Sequence, residues 1–160
     1  MEKIATKEGQ KIWLHCLGMG LFSNVIPFSL LSWGQQYVSS GFAGICMAIV
    51  PLLVLPLSII FVSEEHFSFK KLIGFSVGFL GVILLIGPNS ILNLSEDIIS
   101  SARLACVGAA ACYSIGSIIT RRCPEVSLIS FSAAALILAS IIIVPIALIT
   151  EGLPKNLTIK

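Results

Sequence analysis

Hydrophobic and polar positions divide this chain into five long apolar runs joined by short polar connections. The cleanest run, 41–62, holds 22 residues without an ionisable side chain. At about 1.5 Å per helical residue it reaches roughly 33 Å, the thickness of a bilayer's hydrocarbon core. Runs over 12–33, 70–87, 101–120 and 126–150 complete a predicted set of five transmembrane helices, spans A to E in chain order with 41–62 as span B. Span C (70–87) is short, but Lys70 and Lys71 can snorkel outward and lengthen its reach. Between and around the spans lie a polar leader (1–11), an uncharged connection (34–40), a charged loop (63–71), a longer connection (89–100) and a polar tail (151–160).

Prolines and small residues interrupt this pattern at particular places. Pro51 and Pro56 sit in the middle of span B, and each lacks the N–H that would serve a carbonyl four residues earlier, those of Met47 and Leu52. In lipid such groups need a neighbouring helix, a hydroxyl or water, so span B is predicted to face protein or a wet cavity, which points to transport. Span A carries Trp13 and Trp33 at its two ends, where interfacial aromatics are expected. Inside it Gly20, Asn24 and Pro27 recur at i, i+4 and i+7, with Gly18 and Ser23 beside them, and this face is predicted to look inward. Gly74, Gly78 and Gly81 in span C, and Gly108, Cys112 and Gly116 in span D, form stripes where another helix backbone can come close.

Composition narrows the class. With 56% hydrophobic and 11% charged residues the 160-residue chain reads as an all-α integral membrane protein. Its net charge of +2 is too small to argue for a nucleic-acid partner. The distribution of basic residues says more. Lys3, Lys7, Lys11, Lys70, Lys71, Arg121 and Arg122 flank one side of the predicted topology, and Arg103, Lys155 and Lys160 the other, seven against three. The positive-inside rule then places the N-terminus in the cytoplasm of a multi-pass protein of the inner (plasma) membrane. The first run exceeds a signal-peptide core and lacks a cleavage site, so it is expected to stay in the mature protein.

Five cysteines without a C-x-x-C pair read as packing residues, with neither disulfide nor metal spacing. No Asp or Glu lies inside a span, and neither H-E-x-x-H nor G-x-S-x-G occurs, so no catalytic, metal or cofactor chemistry is expected. An enzyme is not indicated.

The run from Pro27 to Gly74 resembles the EamA repeat of the drug/metabolite transporter superfamily. It does so through Pro27-Phe28, Tyr37, Ser40-Gly41, Ala43-Gly44, Pro51-Leu52 and Glu65-x-x-Ser68-x-x-Lys71-x-x-Gly74, and Gly78, Phe79, Gly81 and Val82 continue the pattern. The resemblance implies a ten-helix inverted-repeat transporter fold with solute handled between the halves. Residues 12–88 would be the last three helices of a first repeat and 101–150 the first two of a second. Two leading and three trailing helices are absent from that arrangement. The chain is therefore expected to be a partial permease, its partners being membrane lipid, a small organic solute and the missing helices as a separate chain. A homodimer would need antiparallel insertion, which the seven-to-three charge bias disfavours.

Candidate solute-contacting residues are Ser23, Asn24 and Pro27 in span A, Met47 and Pro51 in span B, and Tyr113, one turn from Ser117, in span D. The alternatives are an interhelical hydrogen bond for the Asn24 amide and a structural kink for Pro51. Glu65, Ser68, Lys71 and Gly74 read as a loop clasp, with Ser68 as N-cap and the lysines offsetting a carboxylate at a helix end. His15, near the predicted cytoplasmic interface, reads as hydrogen-bonded rather than as a proton relay. The expected function is alternating-access movement of a neutral, zwitterionic or amphipathic solute. The alternative is a transport-inactive membrane scaffold whose small-residue stripes dock missing helices.

Overall fold

In the computed structural model, which describes residues 7–62, 68–86, 98–150 and 152, the chain is an all-α membrane protein, with no strand among the described residues. Span A is one continuous rod made of α1 (Lys7–Gly20), a π-helical turn (Leu21–Val25) and α2 (Ile26–Gly34). Span B is divided into α3 (Ser40–Met47) and α4 (Ile49–Phe61). The remaining helices are α5 (Phe69–Ile86), α6 (Ile98–Arg121) and α7 (Leu128–Thr150). Among the described residues four stretches are long and apolar enough to cross a membrane, Gly9–Gly34, Ser40–Phe61, Ile98–Arg121 and Leu128–Thr150, and the 18-residue α5 occupies the place of span C. The residues 1–6, the loop 63–67 with Glu65, the connection 87–97 and most of the tail lie outside the described residues.

Proline sets both irregularities. Pro27 is the second residue of α2, a position where its missing N–H costs little. The turn before it widens by one residue, and the Ile26 N–H donates to the Leu21 carbonyl five positions back. The Ser29 hydroxyl donates to the Val25 carbonyl at 2.7 Å, adding a partner where the wide turn rejoins the α-helix. In span B the helix stops at Met47 and restarts at Ile49, which moves Pro51 into the first turn of α4. Span B is thus broken at Ala48, where an unbroken helix was expected. Pro56 remains inside α4. At the other end of span B, the Ser39 side chain caps α3 by accepting from the Phe42 N–H at 3.2 Å.

The helix at the centre is α6. It packs against α1, the π turn, α2, α3 and α4. Its buried residues are nearly all small: Ser100, Ala102, Ala105, Cys106, Ala109, Ala110, Ser114 and Gly116, with Ile118. In lipid no hydrophobic force drives helices together, so close backbone approach and dispersion must do it, and small side chains permit both. A Cβ on Gly34 would sit 3.0 Å from the Ala102 carbonyl oxygen and from Cys106 Sγ, which shows how closely α2 lies on α6. On the other flank Ala43, Cys46, Ile49, Cys106 and Ala110 form a buried cluster joining α3 and α4 to α6.

The outer helices are attached on one side each. Phe131, Ala135 and Ala139 of α7, spaced at i, i+4 and i+8, are buried, and Gly20 of α1 lets the Ala135 carbonyl approach. Beyond Ile141 the α7 side chains are largely exposed, as suits a surface bathed in lipid. Helix α5 rests on α4, where Leu52 packs over Gly78. Gly74 and Gly81 have open space where a side chain would be.

Candidate functional site

Span A, span B and α6 leave between them a cavity of about 710 Å³. Its walls are Met19 of α1, Ser23 of the π turn, Leu31 of α2, Met47 of α3, Val50 of α4, and Tyr113, Ser117, Thr120 and Arg121 of α6. The last four fall at i, i+4, i+7 and i+8, one face of a helix. The same face is packed solid further towards the N-terminus of α6, at Cys106 and Ala110. The cavity therefore opens where the close-packed half of the bundle ends. Its volume falls within the usual range for sites that hold small molecules.

Each wall element is held in place by a local feature. Ser23 lies in the π turn, whose backbone is pressed onto Gly116, a residue with no side chain to keep it away. Such single wide turns recur at functional positions because they re-aim the side chains within them. Met47 ends α3 at the break imposed ahead of Pro51. Tyr113 is held by an edge-on contact with Phe28, ring centres 6.3 Å apart at 77°. Thr120 returns its hydroxyl to the Gly116 carbonyl at 2.9 Å, which leaves its methyl and oxygen lone pairs as the groups available beside the cavity. The lining thus offers the hydroxyls of Ser23, Tyr113 and Ser117, a polarisable thioether from Met47, apolar walls, and one guanidinium, Arg121, at the end of α6.

Three of the six residues expected to contact solute, Ser23, Met47 and Tyr113, come together here from three different spans, with Ser117 beside them. The other three do not line this cavity. Pro27 is fully buried and acts through the backbone, as the residue behind the π turn. Pro51 is exposed on the outside of α4, because the break at Ala48 turns it away from α6. Asn24 is half-buried and off the cavity face. The wide turn explains this, since one additional residue per turn rotates Asn24 out of the expected i, i+4, i+7 alignment with Gly20 and Pro27. Arg121 was expected only in the turn after span D. Helix α6 runs one residue further and brings it to the wall.

Of the loop residues, Ser68 stands immediately before α5, and its carbonyl accepts the first helical bond from the Leu72 N–H at 3.1 Å. Ser68 and Lys71 also line a crevice of about 100 Å³ against Leu55, Pro56 and Ile59 of α4. Glu65, the proposed partner of this clasp, is outside the described residues, and Gly74 faces open space. His15 Nδ1 lies 2.7 Å from the Lys11 carbonyl oxygen. A carbonyl only accepts, so Nδ1 carries the hydrogen and Nε2 is left for other partners.

Residues 2–87 match the EamA-like transporter family. The chain is 34% identical over 71 residues to an uncharacterized transporter of Archaeoglobus fulgidus, covering 44% of this chain and 25% of that protein. It is 32% identical over 130 residues to the protein PagO of Salmonella typhimurium, covering 77% of this chain and 40% of that protein. It thus spans well under half the length of either relative. No solved structure matches it.

Proposed function

Because the chain belongs to the EamA-like transporter family, we propose that the crevice between span A, span B and α6 is part of the path of a small organic solute moved by alternating access. The observation that carries this reading is the convergence of Ser23, Met47 and Tyr113, from three spans, on one cavity. A wet crevice is where interrupted helices belong in a membrane protein, and the π turn and the break at Ala48 both border it.

The solute class follows from the lining. Hydroxyls and a thioether favour a neutral or zwitterionic amphipathic molecule, and Arg121 at the cavity's end suits a carboxylate on that molecule. The proposed cycle rocks one helix bundle against the other within a ten-helix inverted repeat, with the N-terminus in the cytoplasm of the inner membrane. The test is uptake into liposomes, with a panel of zwitterionic amino acids and neutral amphipathic dyes. Ser23→Ala and Tyr113→Phe should each weaken uptake of a transported solute, and unchanged uptake in both would remove this cavity from the path.

A second reading is favoured by α5. Gly74 and Gly81 have nothing within 4 Å, so α5 leaves open backbone on the outside of the bundle, as a docking surface for further helices would. In this reading the chain is an assembly partner, and it would show no uptake until a complementary chain is supplied.

A further inference from the structure

A second cavity, about 790 Å³, lies on another face of α6. It is lined by Ile115, Ile118, Ile119 and Arg122 at the end of α6 and beyond, by Lys11 and His15 near the start of α1, and by Leu57 and Phe61 at the end of α4. Nothing in the transport proposal uses it. Its chemistry is two-part, with basic groups grouped at the helix ends and aliphatic and aromatic walls deeper along the helices.

We propose that this cavity is a binding site for an anionic phospholipid of the surrounding leaflet, its phosphate held by Lys11, His15 and Arg122 and one acyl chain laid along Leu57, Phe61, Ile115 and Ile119. The first argument is position. Lys11 opens a span while Phe61 and Arg122 close two others, so these three ends share one side of the bundle, at the limits of three helices long and apolar enough to cross a membrane. The second is charge. Two helix C-termini near the site contribute roughly −0.5 elementary charge each, and the fixed charges of Lys11 and Arg122 outweigh them. His15 adds a hydrogen-bonding group, since its Nδ1 is engaged with the Lys11 carbonyl at 2.7 Å and Nε2 remains. Among the residues whose side chains are described, the one carboxylate, Glu125, lines a different cavity. The third is shape: a free phosphate would leave the apolar walls empty, and an uncharged chain would leave the exposed basic groups of Lys11 and Arg122 beside it without an anion.

The test uses the purified full chain in nanodiscs of phosphatidylglycerol and phosphatidylcholine mixed equally, with retained lipid read by native mass spectrometry. The wild-type chain should retain phosphatidylglycerol in clear excess. Retention should fall about fivefold in K11Q or R122Q and roughly thirtyfold in the double variant, given the usual contribution of a basic residue facing anionic lipid. R103Q, whose guanidinium lies over the Phe42 ring away from this cavity, should change nothing. Filling the wall with Ile119→Trp should lower retention with both charges intact. Equal retention of the two lipids by the wild-type chain overturns the proposal without recourse to any variant. Displacement of the lipid by millimolar inorganic phosphate, or indifference to Ile119→Trp, assigns the site to a free anion and overturns the lipid as its occupant.

Discussion

The Ser114 hydroxyl of α6 lies 3.2 Å from the Val50 carbonyl oxygen of α4 and 2.8 Å from the Ala110 carbonyl in its own helix. The side chain is wholly buried, one residue along from the cavity-lining Tyr113, so this contact ties the two spans at the cavity's edge. One hydroxyl hydrogen serves both oxygens, and the bond within α6 is available even if α4 moves away. We therefore expect Ser114→Ala to cost only about 0.6 kcal/mol, the usual value for an interhelical hydrogen bond in a membrane. Ser114→Leu should cost more, about 1–3 kcal/mol, by forcing α4 outward. Unfolding of the purified chain in mixed micelles by titrated denaturing detergent measures both.

Glycine substitutions separate contact from open space. A Cβ on Gly116 would collide first with Ser23 Oγ and would also meet the Ser23 backbone nitrogen at 3.2 Å and the Phe22 carbonyl carbon at 3.3 Å, and backbone cannot swing aside as a side-chain tip can. Gly116→Ala should therefore destabilise by about 1–3 kcal/mol and deform the π turn that carries Ser23. Gly81→Ala meets nothing and should stabilise α5 by up to about 1 kcal/mol through helix propensity. If α5 docks further helices, the same Gly81→Ala change should weaken that association while leaving the isolated chain intact. Detergent unfolding read beside pull-down of a complementary chain tells these effects apart.

Spans were legible because a run of apolar residues long enough to cross a bilayer has few other uses. Helices Phe69–Ile86 and Leu128–Thr150 begin and end within two residues of the runs that predicted them. The central position of α6 was not legible in the same way. Hydropathy ranks Leu and Ile above Ala, Ser and Gly, and so drew attention to span B, whereas packing in lipid is decided by smallness on several faces of one helix. The Gly108, Cys112, Gly116 stripe was one part of that property, and the flank carrying Cys106, Ala110 and Ser114 was the other. Of the candidate site, the hydroxyl, thioether and phenol side chains were legible from their type and depth. Asn24 and Pro51 fall outside this cavity because a π turn and a helix break shift the phase of every residue near them, and proline announces such an irregularity without saying which form it takes.

Tyr113→Phe tests the cavity chemistry with little structural disturbance. The ring keeps its edge-on contact with Phe28, 6.3 Å between centres, and only the hydroxyl is lost. Stability should hold within about 0.5 kcal/mol. Uptake of a solute that hydrogen-bonds the phenol should weaken by about fivefold, the usual worth of one neutral hydrogen bond. A loss confined to KM would mark a binding contact, and a loss in the maximal rate a contact made during the conformational change.

Cys123, in the turn after α6, has its thiol raised above the ordinary 9.0 by partial burial, which disfavours the charged thiolate. The thiolate is the reactive form, so maleimide labelling at neutral pH should be slower than that of a free thiol. The rate should still be climbing at pH 9, where an unperturbed thiol begins to level off. The sign for stability follows from the same shift. The unfolded thiol ionises first, so any contribution from burying the neutral group is present below pH 9 and declines above it. Labelling of a chain in which Cys16, Cys46, Cys106 and Cys112 are changed to alanine isolates this site.

A crevice that carries solute must admit water, and lipid-facing surface must not. Ser117 lines the cavity between span A, span B and α6, whereas Ile137, 60% exposed on α7, faces outward along a helix buried only at Phe131, Ala135 and Ala139. Ser117 lies one turn from the end of its span and Ile137 deeper in its own, so Ala133→Cys, exposed on α7 and five residues into that helix, is the depth-matched control and should also stay unreactive. In a background with the five native cysteines replaced by alanine, Ser117→Cys should react with a membrane-impermeant maleimide in reconstituted vesicles, and Ile137→Cys should not. Reaction at Ser117→Cys should be slowed by a transported solute, because solute and reagent then compete for one space. If all three cysteines stay unreactive while the protein is folded by circular dichroism, the cavity is closed to water and the helix interruptions around it serve packing alone.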